Sequence, residues 1–355
     1  MATGYITARI ASLDISTLQR HCIAMDIHVT VVRYQGGCCF VGANPHTVLN
    51  DISGVLILKI SVVIPHLNQS EMLERCLQSL AAGSRIADEI YVVDNGSAQM
   101  PETVCNAFPT VTLLRETEPG PGPARNLGAS VAKGDILAFI DADCLADPAW
   151  LKTAHIAMQD TTADILGGDV RIAYVDPTRL TVLEAYESIY AYRMDRYIAR
   201  EGYTGTGNLV VRKAVLQDVG PFAGIAVAED RDWGQRATAK GYQTRYVAGM
   251  KVYHPARTSF DGLKAKWDRH LAHEYHSAMT RRFGRLRFLL KTLAMGLSPL
   301  AEIPRILGSD RISGIGDRFK AFAGLVRIRF YRMWVMATLL MGRDPGQVAG
   351  RWNRK

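Results

Sequence analysis

ILAFIDADC (136–144) joins a short apolar run to two aspartates that lie one residue apart, Asp141 and Asp143. Successive side chains of a strand point to opposite faces, so both carboxylates project to one side if the extended path continues to Asp143. Neighbouring carboxylates repel each other unless positive charge lies between them, and a divalent cation carrying a diphosphate is the usual solution. The stretch therefore predicts a buried strand that ends at a cation site.

Strand-like and helix-like segments alternate up to and including this stretch. Predicted strands lie at 59–65, 89–93, 111–114 and 136–140, and predicted helices at 70–80, 101–108 and 124–132. Pro65 is expected to stop the first strand, and Ser70 is a candidate N-cap of the first helix. The alternation is typical of an α/β fold with a doubly wound, mostly parallel central sheet.

The chain beyond this sheet is less regular, and we expect it to make the sheet mixed. Its predicted elements are a strand at 163–171, a long helix at 177–200, a turn entering a strand at 205–211, a helix at 229–240 and short strands at 244–247 and 250–253.

Composition indicates a folded protein with a basic tail. The chain has 355 residues, of which 48% are hydrophobic and 21% charged, and its net charge is +8. Residues 281–355 hold 16 Lys and Arg against four acids, a local excess of +12, so the preceding residues sum to −4. Six cysteines without CxxC spacing favour reduced thiols and a cytoplasmic location. No uncharged apolar run reaches the roughly 18 residues that suggest a membrane span.

These patterns divide the chain into three parts. Residues 1–58 form an N-terminal extension without a chemical motif, residues 59–280 form the α/β domain, and residues 281–355 form a basic amphipathic helical region. In that region apolar side chains recur at three- and four-residue spacing, which predicts one helix face, at positions 319, 323, 326, 330, 333 and 337. The helix either packs on the α/β domain or lies on an anionic membrane surface, the interpretation we favour. No recognised nucleic-acid motif accompanies the charge.

Ligands of open α/β sheets bind outside the carboxyl ends of the strands, where Asp94, Asp141 and Asp143 are predicted to lie. Asp94 could instead belong to a hairpin turn, and the other two could cap a helix. Arg125, which follows a Gly/Pro-rich loop, could reach a phosphate or form an ion pair with Asp135.

Two further sites have open alternatives. Glu229 and Asp230 could be a solvated helix start, or one of them could be a general base that faces the strand ends. His254 follows a short strand and could be structural or join carboxylates around Mn²⁺.

Together these elements resemble family 2 glycosyltransferases of the GT-A fold. Seven segments occur in the order seen in that family: SVVIPHLNQ (61–69), VVDNGS (92–97), PGPARNLGA (121–129), GDILAFIDADC (134–144), GTGNLVV (205–211), AEDRDWGQRATAKGY (228–242) and VYHP (252–255). The resemblance covers about residues 59–256, and its strength lies in the order of the motifs because each alone is weak.

The resemblance implies a role for each matching residue. Asp230 is similar to the catalytic base and Glu229 to its partner in acceptor binding, while Asp143 and His254 resemble the ligands of Mn²⁺ or Mg²⁺. The remaining positions resemble the donor site, with Asp94 on the base of a uridine nucleotide: Pro65, Asp94, Arg125, Asp141, Gly207 and Asn208.

The implied activity is a metal-dependent, inverting transfer of one sugar from a nucleotide-diphosphate sugar, UDP-linked, to a lipid-linked or growing saccharide. The product belongs to cell-surface polysaccharide or glycolipid synthesis, made in the cytoplasm or at the inner face of the cell membrane. No Gln-x-x-Arg-Trp motif follows Asp230, which favours single addition over processive synthesis. Two alternatives remain: a nucleotidyltransferase that makes nucleotide sugars, and a degenerate glycan-binding relative without catalysis.

Overall fold

The structure, a computed structural model, describes residues 58–225 and 227–349. The predicted N-terminal extension lies outside the described residues apart from Leu58. Eight strands are described: β1 (Ile60–His66), β2 (Glu89–Asp94), β3 (Val111–Arg115), β4 (Ile136–Phe139), β5 (Leu145–Ala146), β6 (Ile165–Ala173), β7 (Leu209–Arg212) and β8 (Thr244–Pro255).

The strands form one mixed sheet in the order β3-β2-β1-β4-β7-β6-β8-β5. β1 pairs in parallel with β2 and β4, and β2 pairs in parallel with β3. β7 is antiparallel to β4 and β6, whereas β6 and β8 are parallel. The α/β class and the mixed, doubly wound sheet are therefore confirmed.

Thirteen α-helices are described in the same part of the chain. They are α1 (Ser70–Ala81), α2 (Glu102–Asn106), α3 (Pro121–Val131), α4 (Trp150–Met158), α5 (Val182–Tyr190), α6 (Met194–Glu201), α7 (Lys213–Val219), α8 (Glu229–Ala239), α9 (Phe260–Met279), α10 (Gly284–Ala301), α11 (Ile303–Leu307), α12 (Ile315–Leu340) and α13 (Pro345–Ala349). A 3₁₀ turn, Thr206–Asn208, precedes β7.

Pro65 does not stop β1, contrary to the prediction. The strand continues to His66, with Pro65 opposite Val93 of β2. β4 pairs only as far as Val63 on the other side of β1, so the missing N–H of proline interrupts no ladder there. The predicted N-cap is also wrong, since Gln69 occupies the cap position of α1 and makes no side-chain cap bond.

The long helix predicted for 177–200 is two helices. α5 begins after Thr181, which forms a capping box with Glu184. Ala191 is extended and Tyr192 has a φ of +49°, which breaks the helix before α6 begins. The break places the Tyr192 ring beside the candidate site.

The two short strands predicted at 244–247 and 250–253 form the single strand β8. Its register with β6 shifts between Gly168 and Asp169, where β8 advances from Val247 to Lys251. This β-bulge explains why the alternation of side chains breaks in the middle of β8.

The basic tail is helical, as predicted, but a different face of α12 packs on the domain. Its buried side chains include Ala321, Leu325 and Ile328, which share an apolar cluster with Leu183 and Ile189 of α5. The predicted stripe contains Phe319 and Phe330, and both rings are exposed. Within the part of the chain that the structure describes, no helix is long and apolar enough to span a membrane.

Candidate active site

The three predicted aspartates follow the carboxyl ends of two strands that flank β1. Asp94 is the last residue of β2, and Asp141 and Asp143 follow β4. β2 and β4 lie on opposite sides of β1, so Asp94 and the turn that carries Asp141 and Asp143 flank the carboxyl end of β1. This is the position at which open α/β sheets bind ligands.

Strand alternation does not determine where the carboxylates of Asp141 and Asp143 point. β4 ends at Phe139, and the Cys144 N–H donates to the Asp141 carbonyl at 3.0 Å across a turn. The extended path therefore stops before Asp143, which corrects the premise of the prediction. The two carboxylates take different partners instead.

Asp94 is fully buried, and its carboxylate is bonded inside the protein. Oδ1 accepts from Nδ1 of His66 at 2.9 Å, and Oδ2 accepts from the Ser97 N–H at 3.1 Å. The Gln69 N–H donates to Nε2 of His66, which assigns the ring proton to Nδ1. Burial raises the pKa of Asp94, but hydrogen bonds from Ser97 and His66 outweigh it and the net pKa is lowered. Because β2 and β3 are parallel, the hairpin alternative is wrong.

Arg125 joins two carboxylates. Its Nη2 donates to Oδ1 of Asp141 at 2.7 Å, and its Nη1 donates to Oε1 of Glu229 at 2.8 Å. Burial lowers the pKa of Arg125, but the charges of Asp141 and Glu229 outweigh burial and raise it. The predicted alternative pair with Asp135 does not form, since that carboxylate accepts from the Lys59 N–H. Arg125 therefore holds the turn after β4 against the start of α8.

Asp143 lies against His254, which extends from β8. Oδ2 of Asp143 is 3.4 Å from Nε2 of His254. Nδ1 of His254 faces the carbonyl oxygen of Pro255 at 2.7 Å and donates to it, so Nε2 is the nitrogen that faces Asp143 and the Tyr192 hydroxyl, the latter at 3.1 Å. The Tyr192 ring stacks on the imidazole with 4.5 Å between centroids. A carboxylate oxygen and an imidazole nitrogen are suitable ligands for Mn²⁺.

Cys144 adds a third potential ligand atom. Within residues 58–225 and 227–349, the ligand atoms of Asp143, Cys144 and His254 lie within 4.8 Å of one another. The thiol donates to Oδ1 of Asp143 at 3.6 Å, and burial raises its pKa well above the usual value. The arrangement fits a divalent cation held by Asp143 and His254.

Asp230 lies in the first turn of α8, a different element from those that carry Asp143 and His254. Its Oδ1 accepts from the Arg231 N–H at 2.7 Å. Burial raises the pKa of Asp230, and the charge of Glu229 raises it further. The parallel rings of Tyr197 and Tyr203, 5.5 Å apart, lie close enough for the charge of Asp230 to raise their pKa values beyond the effect of burial.

Gly207 and Asn208 occupy different environments. A Cβ on Gly207 would lie 2.8 Å from Oδ2 of Asp141, so glycine lets the 3₁₀ turn approach that carboxylate. Asn208 is fully buried, so the predicted donor contact of its side chain does not fit this position. Its Oδ1 accepts from Trp150 Nε1, and its Nδ2 donates to the carbonyls of Asp169 and Met250. Asn208 therefore supports the site from behind.

Comparison with known proteins identifies the family. The family described as Glycosyl transferase family 2 matches residues 61–220. Glycosyltransferase AglE of Haloferax volcanii is 32% identical over 216 residues, which cover 59% of this chain and 70% of that protein. The chain belongs to glycosyltransferase family 2. Glycosyltransferase GlyG of Streptococcus pneumoniae is 30% identical over 115 residues, covering 31% of this chain and 38% of GlyG.

A solved structure supports the GT-A fold of this glycosyltransferase. A mannosyltransferase from Pyrobaculum calidifontis, in complex with GDP-Man and Mn²⁺, has a TM-score of 0.50 at 15% identity. The alignment covers 81% of this chain and 88% of the mannosyltransferase. Family membership favours sugar transfer over the nucleotidyltransferase and non-catalytic alternatives.

Several side chains of this glycosyltransferase site had no predicted role, among them His66 and Tyr192. His66 supports Asp94, and Tyr192 covers His254. The sequence contains a signal for His66. His66 directly follows the predicted strand 59–65, just as Asp94 directly follows the predicted strand 89–93. Nothing local indicates Tyr192, which lies inside a predicted helix. Pro65 is in β1, next to His66, and its predicted donor contact stays a prediction.

Proposed function

We propose that the protein is a metal-dependent, inverting glycosyltransferase that adds a single sugar from a nucleotide-diphosphate donor. The acceptor is a lipid-linked or growing saccharide at the cytoplasmic face of the membrane. The observation that carries the proposal is that Asp143 and His254 meet at 3.4 Å, whereas Asp230 lies in another element with a raised pKa.

The donor half of the site contains Asp143, His254 and Asp141. Asp143 and His254 would hold a divalent cation, which would supply positive charge to offset the negative charge that develops on the departing nucleoside diphosphate. Nδ1–H of His254 donates to the Pro255 carbonyl, so Nε2 is the nitrogen that would face the cation. Arg125 restrains Asp141, and Gly207 leaves space for its second oxygen. The mannosyltransferase of the same fold is in complex with GDP-Man and Mn²⁺, which supports this class of donor and metal. UDP-sugars remain our first candidates.

The acceptor half is built around Asp230. Its carboxylate accepts the proton of the acceptor hydroxyl while that oxygen attacks the anomeric carbon and the bond to the diphosphate breaks. A base with a raised pKa holds the proton better than an ordinary aspartate does, which favours general-base catalysis near neutral pH. One displacement inverts the anomeric configuration, so an α-linked donor gives a β-linked product.

A donor panel of UDP- and GDP-sugars with Mn²⁺ or Mg²⁺ tests this function. One donor should be hydrolysed or transferred, and Asp230→Asn should lower that rate about 10²- to 10⁴-fold. Asp232→Asn is the matched control, since Asp232 lies in the same helical turn but pairs with Arg236. Asp143→Ala should also weaken Mn²⁺ binding measured by electron paramagnetic resonance without donor. The proposal is wrong if no donor binds and Asp143→Ala changes neither measurement.

A further inference from the structure

Helix α10 has an exposed row of leucines. Leu286, Leu289, Leu290, Leu293, Leu297 and Leu300 recur at intervals of three, one and four residues, which places them within an arc of roughly 100° on one helix face. All six are exposed, and Leu297 is 72% exposed. Single exposed leucines need no explanation, but a contiguous row of this kind marks an interaction surface.

The opposite face of α10 already has its partner. Phe288, Thr292, Met295 and Pro299 are buried, and Met295 shares an apolar cluster with Val335 and Met336 of α12. Gly296 lets the Met333 sulfur approach, since a Cβ there would lie 2.8 Å from it. The helix is therefore held on the protein without any contribution from the leucine row, which leaves the row available for another surface.

The charges around the leucine row indicate which kind of surface the row contacts. Residues 275–301 contain no Asp or Glu but five basic residues: Arg281, Arg282, Arg285, Arg287 and Lys291. Lys291 pairs with Glu274 of α9. Arg285 and Arg287 flank the leucine arc on its two sides near the start of α10. A leucine face bordered by arginines is complementary to the boundary between anionic headgroups and acyl chains.

We propose that the leucine face of α10 docks the enzyme on an anionic lipid bilayer, with the helix lying in the interface plane. α10 has 18 residues and carries Arg285, Arg287 and Lys291, so it is suited to lie on a membrane and not to cross it. This proposal rests on the proposed function in one respect only: docking on the bilayer brings a lipid-linked acceptor to the site.

This assignment moves the membrane contact from α12 to α10. Sequence periodicity favoured α12, and Phe319, Phe330 and Trp334 of that helix are indeed exposed. However, Arg332, one of the flanking cations of α12, is buried and lies over the Trp267 ring. α12 therefore uses part of its apolar and basic surface inside the protein, whereas the leucine row of α10 is exposed along its whole length.

Vesicle flotation with the full chain tests the proposal without donor or metal. Wild-type protein should float with vesicles of phosphatidylcholine and phosphatidylglycerol, and Leu290→Gln/Leu293→Gln/Leu297→Gln should lower the bound fraction at least tenfold. The matched control is Ile86→Gln/Ile156→Gln/Val175→Gln, which removes three other exposed apolar side chains and should float like wild type.

Charge and self-association provide the second part of the test. Arg281→Gln/Arg287→Gln should weaken binding at low salt on anionic vesicles and have no effect at high salt. Equal flotation of wild type and the leucine variant would overturn the proposal. So would a wild-type dimer that the leucine variant converts to monomer without any vesicle binding. Circular dichroism confirms that each variant is folded, and donor hydrolysis reports the proposed transferase function separately.

Discussion

Arg125 sets the balance of charge among four side chains of the site, Arg125, Asp141, Glu229 and Asp230. Its guanidinium is buried and bonds to both Asp141 and Glu229. Its positive charge therefore offsets part of the negative charge that these two carboxylates place near Asp230. Truncating such a residue would leave both carboxylates unpaired, which costs far more than the ion pairs are worth. Sequence identified all four residues and left Arg125 open between a phosphate and an ion pair with Asp135. It did not predict the pair with Glu229, which is 104 positions away.

Glu229→Gln should move the acid limb of the pH–rate profile to lower pH. Asp230 is active as a base only when deprotonated, so its raised pKa moves the limb upward. Glu229 is one cause of that rise, and removing its charge lowers the pKa of Asp230. The measurement is kcat/KM as a function of pH, from about pH 4 to about pH 9, which covers the acid limb.

Asp232→Asn is again the control for this profile, because it removes a carboxylate of α8 that pairs with Arg236. Its acid limb should match that of wild type. An upward movement in Glu229→Gln would contradict the electrostatic account of Asp230.

Gly207→Ala should weaken nucleoside diphosphate binding with little loss of stability. The added Cβ would lie 2.8 Å from Oδ2 of Asp141 and would displace that carboxylate. We expect at least a tenfold higher Kd by calorimetry. Gly316→Ala in α12 is the control, since a Cβ there meets nothing within 4 Å. Equal affinity in both variants would show that Asp141 is not a donor contact.

At the level of elements, Asn208 connects three parts of the fold that sequence treats separately. Its side chain bonds to Trp150 of α4, to the carbonyl of Asp169 in β6 and to the carbonyl of Met250 in β8. The last two contacts satisfy backbone groups at the β-bulge between β6 and β8. The bulge therefore depends on a residue from the turn before β7.

Asn208→Ala should lower the free energy of unfolding by about 3 kcal/mol or more, because it leaves three buried polar groups unpaired at about 1–3 kcal/mol each. Urea denaturation measures the change. Asn106→Ala, at the exposed end of α2, should stay within about 0.5 kcal/mol of wild type. Similar losses in the two variants would mean that water or relaxation satisfies the groups around Asn208.

At the level of the whole molecule, the basic tail is part of the folded enzyme. α12 covers Leu183, Tyr186 and Ile189 of α5. Arg311, which precedes α12, is buried and pairs with the buried Asp169 of β6. The division at residue 280 that composition suggested therefore separates segments that share a core, although the domain boundaries themselves stay a prediction.

Truncation after Thr280 should give an aggregation-prone protein with strong binding of the dye ANS. The deletion exposes the apolar face of α5 and removes the Arg311 partner of Asp169. Within the full chain, Leu325→Ala should cost about 2–5 kcal/mol, whereas Phe319→Ala, at a side chain 71% exposed, should be nearly neutral. Cooperative unfolding of the truncated protein at the wild-type midpoint would contradict a shared core.

The sequence by itself determined the alternation of strands and helices up to β4, the position of the acidic motifs at the strand ends and, through the order of seven motifs, the family. The first two features depend on periodicity and spacing within short segments. Tertiary structure alone decided that Arg125 pairs with Glu229, that Asn208 lies behind the site and that Tyr192 stacks on His254. It also decided which face of α12 is buried, because an amphipathic pattern reveals apolar positions but not the neighbour that covers them. Such contacts join residues far apart in the chain, and only the packed sheet and helices bring them together.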